Sequence, residues 1–393
     1  MLLIAGTRPE IIKMSPVYAE LKKEKIPVAL CLTGQHANLG NEVFALFDIQ
    51  PDHDLKIMKP GQDLFYLTET ILKKTKELFE SVKPSLVVVQ GDTTSAMAAA
   101  LSAFYLNIPV MHVEAGLRSG NIRGPFPEEL NRRIITLVSS FHFAPTSHAL
   151  AQLKKEGLDE NLIRCTGNTV IDAMRLIKDR IAKDELKVSP ELQRTIADQK
   201  QLGRKILLLT AHRRESFNGG LESIFSAMKR ALQKHPELFI VYPTHPNPSV
   251  QTALEKSELK KADRILIVPP LPYHELLYAL DAADFVATDS GGIQEEGSSL
   301  GKKILVLRNE TDRPECLDEG LAVLVSCDEK RILSEIEKVL QSSSLVPFER
   351  ASCYGDGKAS ERIVHLIKER LKHEKVHGGV VDIHSVSSGS ERR

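Results

Sequence analysis

The sequence predicts an α/β protein in which two doubly wound parallel sheets face each other across a cleft. Three observations carry that expectation. The chain has 393 residues, too many for one ordinary core and suited to two domains of roughly 150–200 residues each. Its apolar segments are short runs that alternate with amphipathic stretches, the pattern of strand–helix–strand units. The alternation also comes in two series, separated by a richly charged connection.

In the first series, Leu2–Ala5, Val28–Leu32, Leu86–Gln90, Val110–Val113 and Phe141–Ala144 read as buried strands, being compact apolar runs closed by polar residues or glycine. Between them Glu10–Lys23, Leu64–Val82, Thr94–Tyr105 and Glu128–Ser139 carry apolar residues at helical spacing. The second series places strands at Lys205–Leu209, Phe239–Tyr242, Ile265–Val268, Phe285–Ala287, Ile304–Leu307 and Ala322–Val325. The connection Asn168–Arg204 is helical in pattern and carries Pro190. The first domain is therefore expected at 1–168 and the second at 169–357. After the turn Tyr354-Gly355-Asp356-Gly357 comes a last amphipathic helix, 358–373, and then 374–393, rich in Ser, Gly and charge, which reads as a mobile tail.

Composition removes several functions. The 52 basic and 52 acidic residues cancel, so no whole-molecule field grips nucleic acid or an anionic membrane. Trp is absent and aromatic residues make up 5%, which argues against stacking platforms for single strands. No apolar run approaches a membrane span. The five cysteines are scattered and never form a C-x-x-C pair, suggesting neither a disulfide framework nor a zinc cage. A reducing, cytoplasmic setting is expected, and Leu2–Ala5 runs straight into a functional turn rather than reading as a secretory leader.

Ligands of doubly wound sheets bind outside the carboxyl ends of strands, and the residues there are unusually polar. Leu2–Ala5 ends in Gly6-Thr7-Arg8-Pro9-Glu10, putting Arg8 and Lys13 near a helix start that favours anions. The loop lacks both G-x-G-x-x-G and G-x-x-x-x-G-K-[ST], so a dinucleotide or triphosphate loop is not expected. Asp92 follows one strand, Glu114 the next, and Glu128 opens the helix after that. One such carboxylate is ordinarily a helix cap. Three at successive switches suit acid/base chemistry on a polyol, where one group takes a proton and another gives one. In the second series His212-Arg213-Arg214 and His245 end strands, and Asp289-Ser290-Gly291-Gly292 opens a helix whose small residues admit a diphosphate. Glu296, farther along that helix, can accept both hydroxyls of a ribose.

Together these strings resemble the non-hydrolysing UDP-N-acetylglucosamine 2-epimerases across nearly the whole chain. They are G-T-R-P-E at Gly6, T-G-Q-H at Thr33, P-G-Q at Pro60, G-D-T-T at Gly91, H-V-E-A-G-L-R at His112, P-E-E at Pro127, T-G-N-T-V-I-D at Thr166, H-R-R-E-S at His212, D-S-G-G-I-Q-E-E at Asp289, R-P-E at Arg313 and Y-G-D-G at Tyr354. The resemblance implies two Rossmann-like domains in the GT-B arrangement, with the last helix crossing back to the first. It also implies reversible conversion of UDP-N-acetylglucosamine to UDP-N-acetylmannosamine, through loss of UDP to 2-acetamidoglucal and re-addition, without metal or cofactor. By motif, Asp92, Glu114, Glu128 and His212 match the catalytic residues. Arg8, Lys13, Ser290, Gly291, Gly292, Glu296 and Arg313 match the nucleotide site, with Arg213 beside them. Gln35 and His36 match part of the site where bacterial members bind an activating second UDP-N-acetylglucosamine, although Ala37–Asn41 departs from the usual pattern. Leu276 stands where many relatives have an aromatic residue. A homodimer is implied as well. The alternatives are a 2-epimerase of a diacetamido-uronic or 6-deoxy UDP-sugar, and a non-catalytic UDP-sugar sensor.

Overall fold

The computed structural model describes residues 1–35, 40–213, 217, 219–341 and 353–377. Strands β1 (Leu2–Ala5), β2 (Ala29–Leu32), β3 (His53–Asp54), β4 (Val87–Gln90), β5 (Val110–Val113), β6 (Phe141–Ala144) and β7 (Ile163–Cys165) form one parallel sheet in the order β3-β2-β1-β4-β5-β6-β7. Strands β8 (Lys205–Thr210), β9 (Leu238–Pro243), β10 (Ile265–Val268), β11 (Phe285–Thr288), β12 (Lys303–Val306) and β13 (Ala322–Leu324) form a second, in the order β10-β9-β8-β11-β12-β13. Strands β1, β4, β5 and β6 are buried at every position. That is why they read as continuous apolar runs rather than alternating ones: helices cover both faces of the sheet.

Strands β3 and β7 were not legible as apolar runs. His53-Asp54 is polar, and in Ile163-Arg164-Cys165 only Ile163 is buried. Both are short edges held by register with a longer neighbour, Cys31 opposite His53 and His142 opposite Ile163.

The charged connection resolves into two helices, Thr169–Ala182 and Pro190–Gln201. Asn168 caps the first by accepting the Val170 N–H at 3.0 Å. Its face of Val170, Ile171, Met174 and Ile177 joins an apolar cluster that runs from Ile11 and Val17 of the first half to Tyr273 and Leu277 of the second. The terminal helix Ala359–His377 runs past the expected His373. It packs against Arg8–Lys23 and Thr169–Ala182, burying Ile363, Val364 and Ile367. Its first two N–H groups, on Ala359 and Ser360, donate to Asp172 at 3.1 and 2.8 Å.

Strand order reverses between β1 and β4 in the first sheet and between β8 and β11 in the second. The crevices of the two lobes therefore open at the turns after these four strands.

Candidate active site

In the first lobe, the turns after β1 and β4 are built against each other. A Cβ on Gly6 would lie 2.1 Å from Ser95 Oγ and 2.6 Å from Thr33 Oγ1. Glycine is needed there for close approach. Beneath it the buried Glu10 accepts the Gly6 N–H at 3.0 Å and the Thr93 hydroxyl at 2.7 Å, tying one turn to the other. Burial pushes the Glu10 carboxyl up to about 7 against those hydrogen bonds. His112 is buried and holds the Gly91 carbonyl through Nε2 at 2.7 Å. Burial lowers its pKa to about 4, so the ring is neutral and donates that bond.

The three sequence-predicted carboxylates differ in setting. Asp92 is half-buried; its Oδ2 accepts Arg132 Nε at 2.8 Å and its backbone carbonyl accepts Asn131 Nδ2 at 2.9 Å. Glu114 is buried with φ at +65°, a left-handed backbone that a glutamate adopts only under constraint. Its Oε2 accepts Lys13 Nζ and Gln90 Nε2, each at 2.6 Å. Burial raises its pKa and the Lys13 charge opposes the rise. Glu128 opens helix Glu128–Val138. Burial, and then the charge of Asp92, raise its pKa, with Arg213 and Arg132 pulling the other way.

In the second lobe Asp289 joins the ends of β8 and β11. It is fully buried, and its Oδ2 accepts the backbone N–H of His212 at 2.6 Å and of Arg213 at 2.7 Å. His212 Nδ1 lies 3.3 Å from Oδ1 of the same carboxylate. Its ring stacks on His245 with centroids 4.9 Å apart and planes 11° apart. Burial lowers the His212 pKa while Asp289 opposes. Ser290 precedes helix Gly291–Ser299 and makes no side-chain cap bond. A Cβ on Gly292 would meet nothing within 4 Å, whereas one on Gly291 would lie 2.9 Å from the Arg313 guanidinium carbon. Gly291 thus admits Arg313, and Gly292 leaves the helix mouth open. Glu296 is buried and accepts the Tyr273 hydroxyl at 2.7 Å. Burial pushes its carboxyl up to about 7, with Arg8 of the other lobe among the groups opposing.

Lys13 and Arg313, expected at a diphosphate, are each paired with carboxylates at the boundary between the lobes. Lys13 donates to Glu114 and, at 2.9 Å, to Glu295 of the second lobe. Burial alone would lower its pKa, but the two carboxylates outweigh burial and hold it up. Arg313 pairs with Glu295 at 3.0 Å and with Asp312. Gln35 accepts the Ser95 hydroxyl at 2.7 Å, which connects it to the turn after β4; His36 lies outside the described residues. Among the described residues no group of three or more His, Cys, Asp or Glu is gathered to hold a metal ion.

Sequence reasoning missed Glu10, Arg132, Tyr273, Glu295 and Asp312. Glu10 and Glu295 stand inside the motif strings and Asp312 beside one, but what brings each of the five into the site is a partner distant in sequence: Thr93 for Glu10, Asp92 and Asp312 for Arg132, Glu296 for Tyr273, and Lys13 and Arg313 for Glu295.

Two parallel sheets whose crevices face each other, one rich in carboxylates and the other opening on a helix start, define an enzyme of GT-B architecture. The chain belongs to the UDP-N-acetylglucosamine 2-epimerase family, whose model matches residues 19–368; such enzymes are isomerases. It is 42% identical over 374 residues to the UDP-N-acetylglucosamine 2-epimerase of Yersinia pestis, covering 94% of this chain and 98% of that one. Among solved structures it is similar to the Neisseria meningitidis UDP-GlcNAc 2-epimerase bound to UDP-GlcNAc, with a TM-score of 0.85, 36% identity and coverage of 94% and 99%. It is also similar to the S. aureus MnaA–UDP co-structure, with a TM-score of 0.84, 37% identity and coverage of 94% and 96%.

Proposed function

We propose that the protein interconverts UDP-N-acetylglucosamine and UDP-N-acetylmannosamine by inverting carbon 2 of the sugar. The observation that carries this reading is the pair of carboxylates Asp92 and Glu128. They lie close enough that the charge of one raises the pKa of the other, and Arg213 of the opposite lobe acts on the same group. The hydrogen on carbon 2 is not beside a carbonyl, so a base alone removes it too slowly. Departure of UDP must first build positive charge at carbon 1. The carbon 1–oxygen bond breaks and its electron pair leaves with UDP. A carboxylate takes the carbon-2 proton, and the freed pair becomes the double bond of 2-acetamidoglucal. For the return, a carboxyl group delivers a proton to the opposite face while a UDP oxygen re-forms the bond at carbon 1. No net oxidation occurs, and no cofactor is required.

Burial raises the pKa of Glu114 and Glu128, the direction that favours a carboxyl able to hold and give back a proton. His212, oriented by Asp289 and His245, completes the catalytic set. Arg8, Arg213, the helix start at Ser290–Gly292 and the cations Lys13 and Arg313 serve the diphosphate, and Glu296 the ribose. The lobes, 1–168 and 169–357, close over the intermediate and retain it. The protein works as a homodimer in the cytoplasm, a setting consistent with its five free thiols.

Incubation with UDP-N-acetylglucosamine in heavy water tests this. Proton NMR is expected to show loss of the carbon-2 proton signal and appearance of the manno epimer, and Asp92→Asn is expected to abolish both while UDP still binds. Free N-acetylmannosamine would instead mean hydrolysis, and an unchanged spectrum with UDP bound would mean a sensor.

A further inference from the structure

Two of the proposed catalytic carboxylates are joined through the opposite lobe. Glu114 pairs with Lys13, Lys13 with Glu295, Glu295 with Arg313, Arg313 with Asp312, Asp312 with Arg132, and Arg132 with Asp92. Glu114, Lys13, Arg132 and Asp92 belong to the first lobe; Glu295, Arg313 and Asp312 belong to the second. The chain of alternating charge therefore crosses the boundary twice.

The Arg132 end has the sharper geometry. Its Nε and Nη2 both reach Asp92 Oδ2 at 2.8 Å, and the same Nη2 reaches Asp312 Oδ2 at 2.8 Å, 180 residues away. Its Nη1 donates to Glu129 Oε2 at 3.4 Å, so that three hydrogen bonds, one each to Asp92, Asp312 and Glu129, are fixed by one planar group. The Arg132 side chain is 4% exposed and that of Asp312 8%. A buried guanidinium of this kind is held by its carboxylates and becomes costly when one of them is withdrawn. The Nε hydrogen bond and the Nη2 ion-pair contact both fall on Asp92 Oδ2, so the carboxylate is aimed by that oxygen. Asp312 is kept ionised: burial opposes the charge, but Arg313 and Arg132 hold its pKa well below the usual carboxylate range.

We propose that Arg132 and Asp312 form a clasp across the cleft, with Arg132 positioning Asp92 and Asp312 locking Arg132 only when the lobes are together. Opening the cleft withdraws Asp312, frees the guanidinium and lets Asp92 lose its aim. The catalytic carboxylate is thereby in register only in the closed protein, when the intermediate is also shielded. Arg132 and Asp312 are positioning residues; neither needs to touch the sugar. The consequence for turnover rests on the epimerase reading above, whereas the consequence for closure does not.

The test uses the full chain with Asp312→Asn, Asp312→Glu and Arg132→Lys. A lysine keeps the charge but cannot hold two carboxylates in the fixed fork of an arginine. A misaligned catalytic group costs up to about a hundredfold in rate. Asp312→Asn and Arg132→Lys are expected to lower kcat by about tenfold or more. UDP affinity should stay within about threefold, and more UDP and 2-acetamidoglucal should escape per sugar epimerised. Asp312→Glu is expected to recover most of the rate. In small-angle X-ray scattering, Asp312→Asn is expected to enlarge the radius of gyration of the unliganded protein. Wild-type kcat and leakage in Asp312→Asn would overturn the clasp, as would parallel losses of kcat, UDP affinity and thermal stability, which mark a merely structural pair. Where the wild type itself exchanges no carbon-2 proton, the epimerase reading fails. Scattering then decides the clasp alone, and an unchanged radius of gyration overturns it.

Discussion

At the residue scale, the proposed role of Glu296 at the ribose ties nucleotide affinity to pH. Burial lifts its carboxyl to about 7, so below that pH the free protein holds it protonated and above that pH ionised. A ribose diol donates two hydrogen bonds, and the ionised carboxylate is the form that accepts both. Binding therefore draws on the ionised form, and affinity falls as pH drops through 7. Calorimetry with UDP is expected to show affinity about tenfold weaker at pH 6 than well above pH 8, a loss of about 1.4 kcal/mol per pH unit below the pKa. Glu296→Gln, which cannot titrate, should flatten that limb and leave only the titration of UDP itself. Tyr273→Phe removes a donor that favours the charged form and should move the limb to higher pH. A profile equally steep in Glu296→Gln would assign it elsewhere. The same pair shows what sequence does and does not carry at this scale. Glu296 could be singled out because it stands in a motif string that opens a helix. Tyr273 was not, because its partner is 23 residues distant and no spacing announces the contact. Arg132 and Asp312 were hidden for the same reason: the clasp is made by the meeting of two lobes.

At the element scale, the terminal helix is set by one side chain. Asp172 lies in helix Thr169–Ala182, yet it accepts the N–H groups of Ala359 and Ser360 and the Ser360 hydroxyl. It thus acts as a helix cap supplied from another helix, satisfying donors that the helix start leaves unpaired. Asp172→Ala is expected to destabilise the protein by about 1–3 kcal/mol. Thermal unfolding should register that loss, and hydrogen exchange should quicken at the start of Ala359–His377 before it quickens in the sheets. Asp172→Asn keeps an acceptor and should lose less. Uniform exchange through the chain would mean that Asp172 supports the whole first lobe rather than this helix. Other elements were legible to the degree that their own residues are buried. Strands β1, β4, β5 and β6 are apolar at nearly every position and could be read directly. Strands β3 and β7 are polar and exist because a neighbour offers a backbone edge, which composition does not reveal.

At the scale of the whole molecule, a net charge of zero conceals a sorted interior, with Glu114, Glu295, Asp312 and Asp92 interleaved with Lys13, Arg313 and Arg132 across the cleft. The proposed dimer has to leave that cleft free, and the fold offers a face that does. Helices Leu64–Val82, Thr94–Tyr105 and Glu128–Val138 lie side by side on the first sheet. Each connects parallel strands and so runs against them, bringing its last turn to the edge opposite the active-site turns. Those last turns carry exposed apolar side chains: Val82, Phe104, Tyr105 at 67% exposure and Leu137 at 83%. Exposed apolar side chains at the last turns of three neighbouring helices suit an association surface, and each such side chain buried contributes roughly 1.5–3 kcal/mol. A carboxylate introduced there must instead be desolvated without a partner. Light scattering is therefore expected to give the mass of two chains for the wild type and of one for Tyr105→Glu/Leu137→Glu. Because the face lies away from the turns after β1, β4, β8 and β11, the monomeric variant should bind UDP within about twofold of the wild type, a difference of about 0.4 kcal/mol. A two-chain mass in the variant would move the interface elsewhere, a one-chain mass in the wild type would remove the dimer, and loss of UDP binding on dissociation would mean that the second chain completes the site.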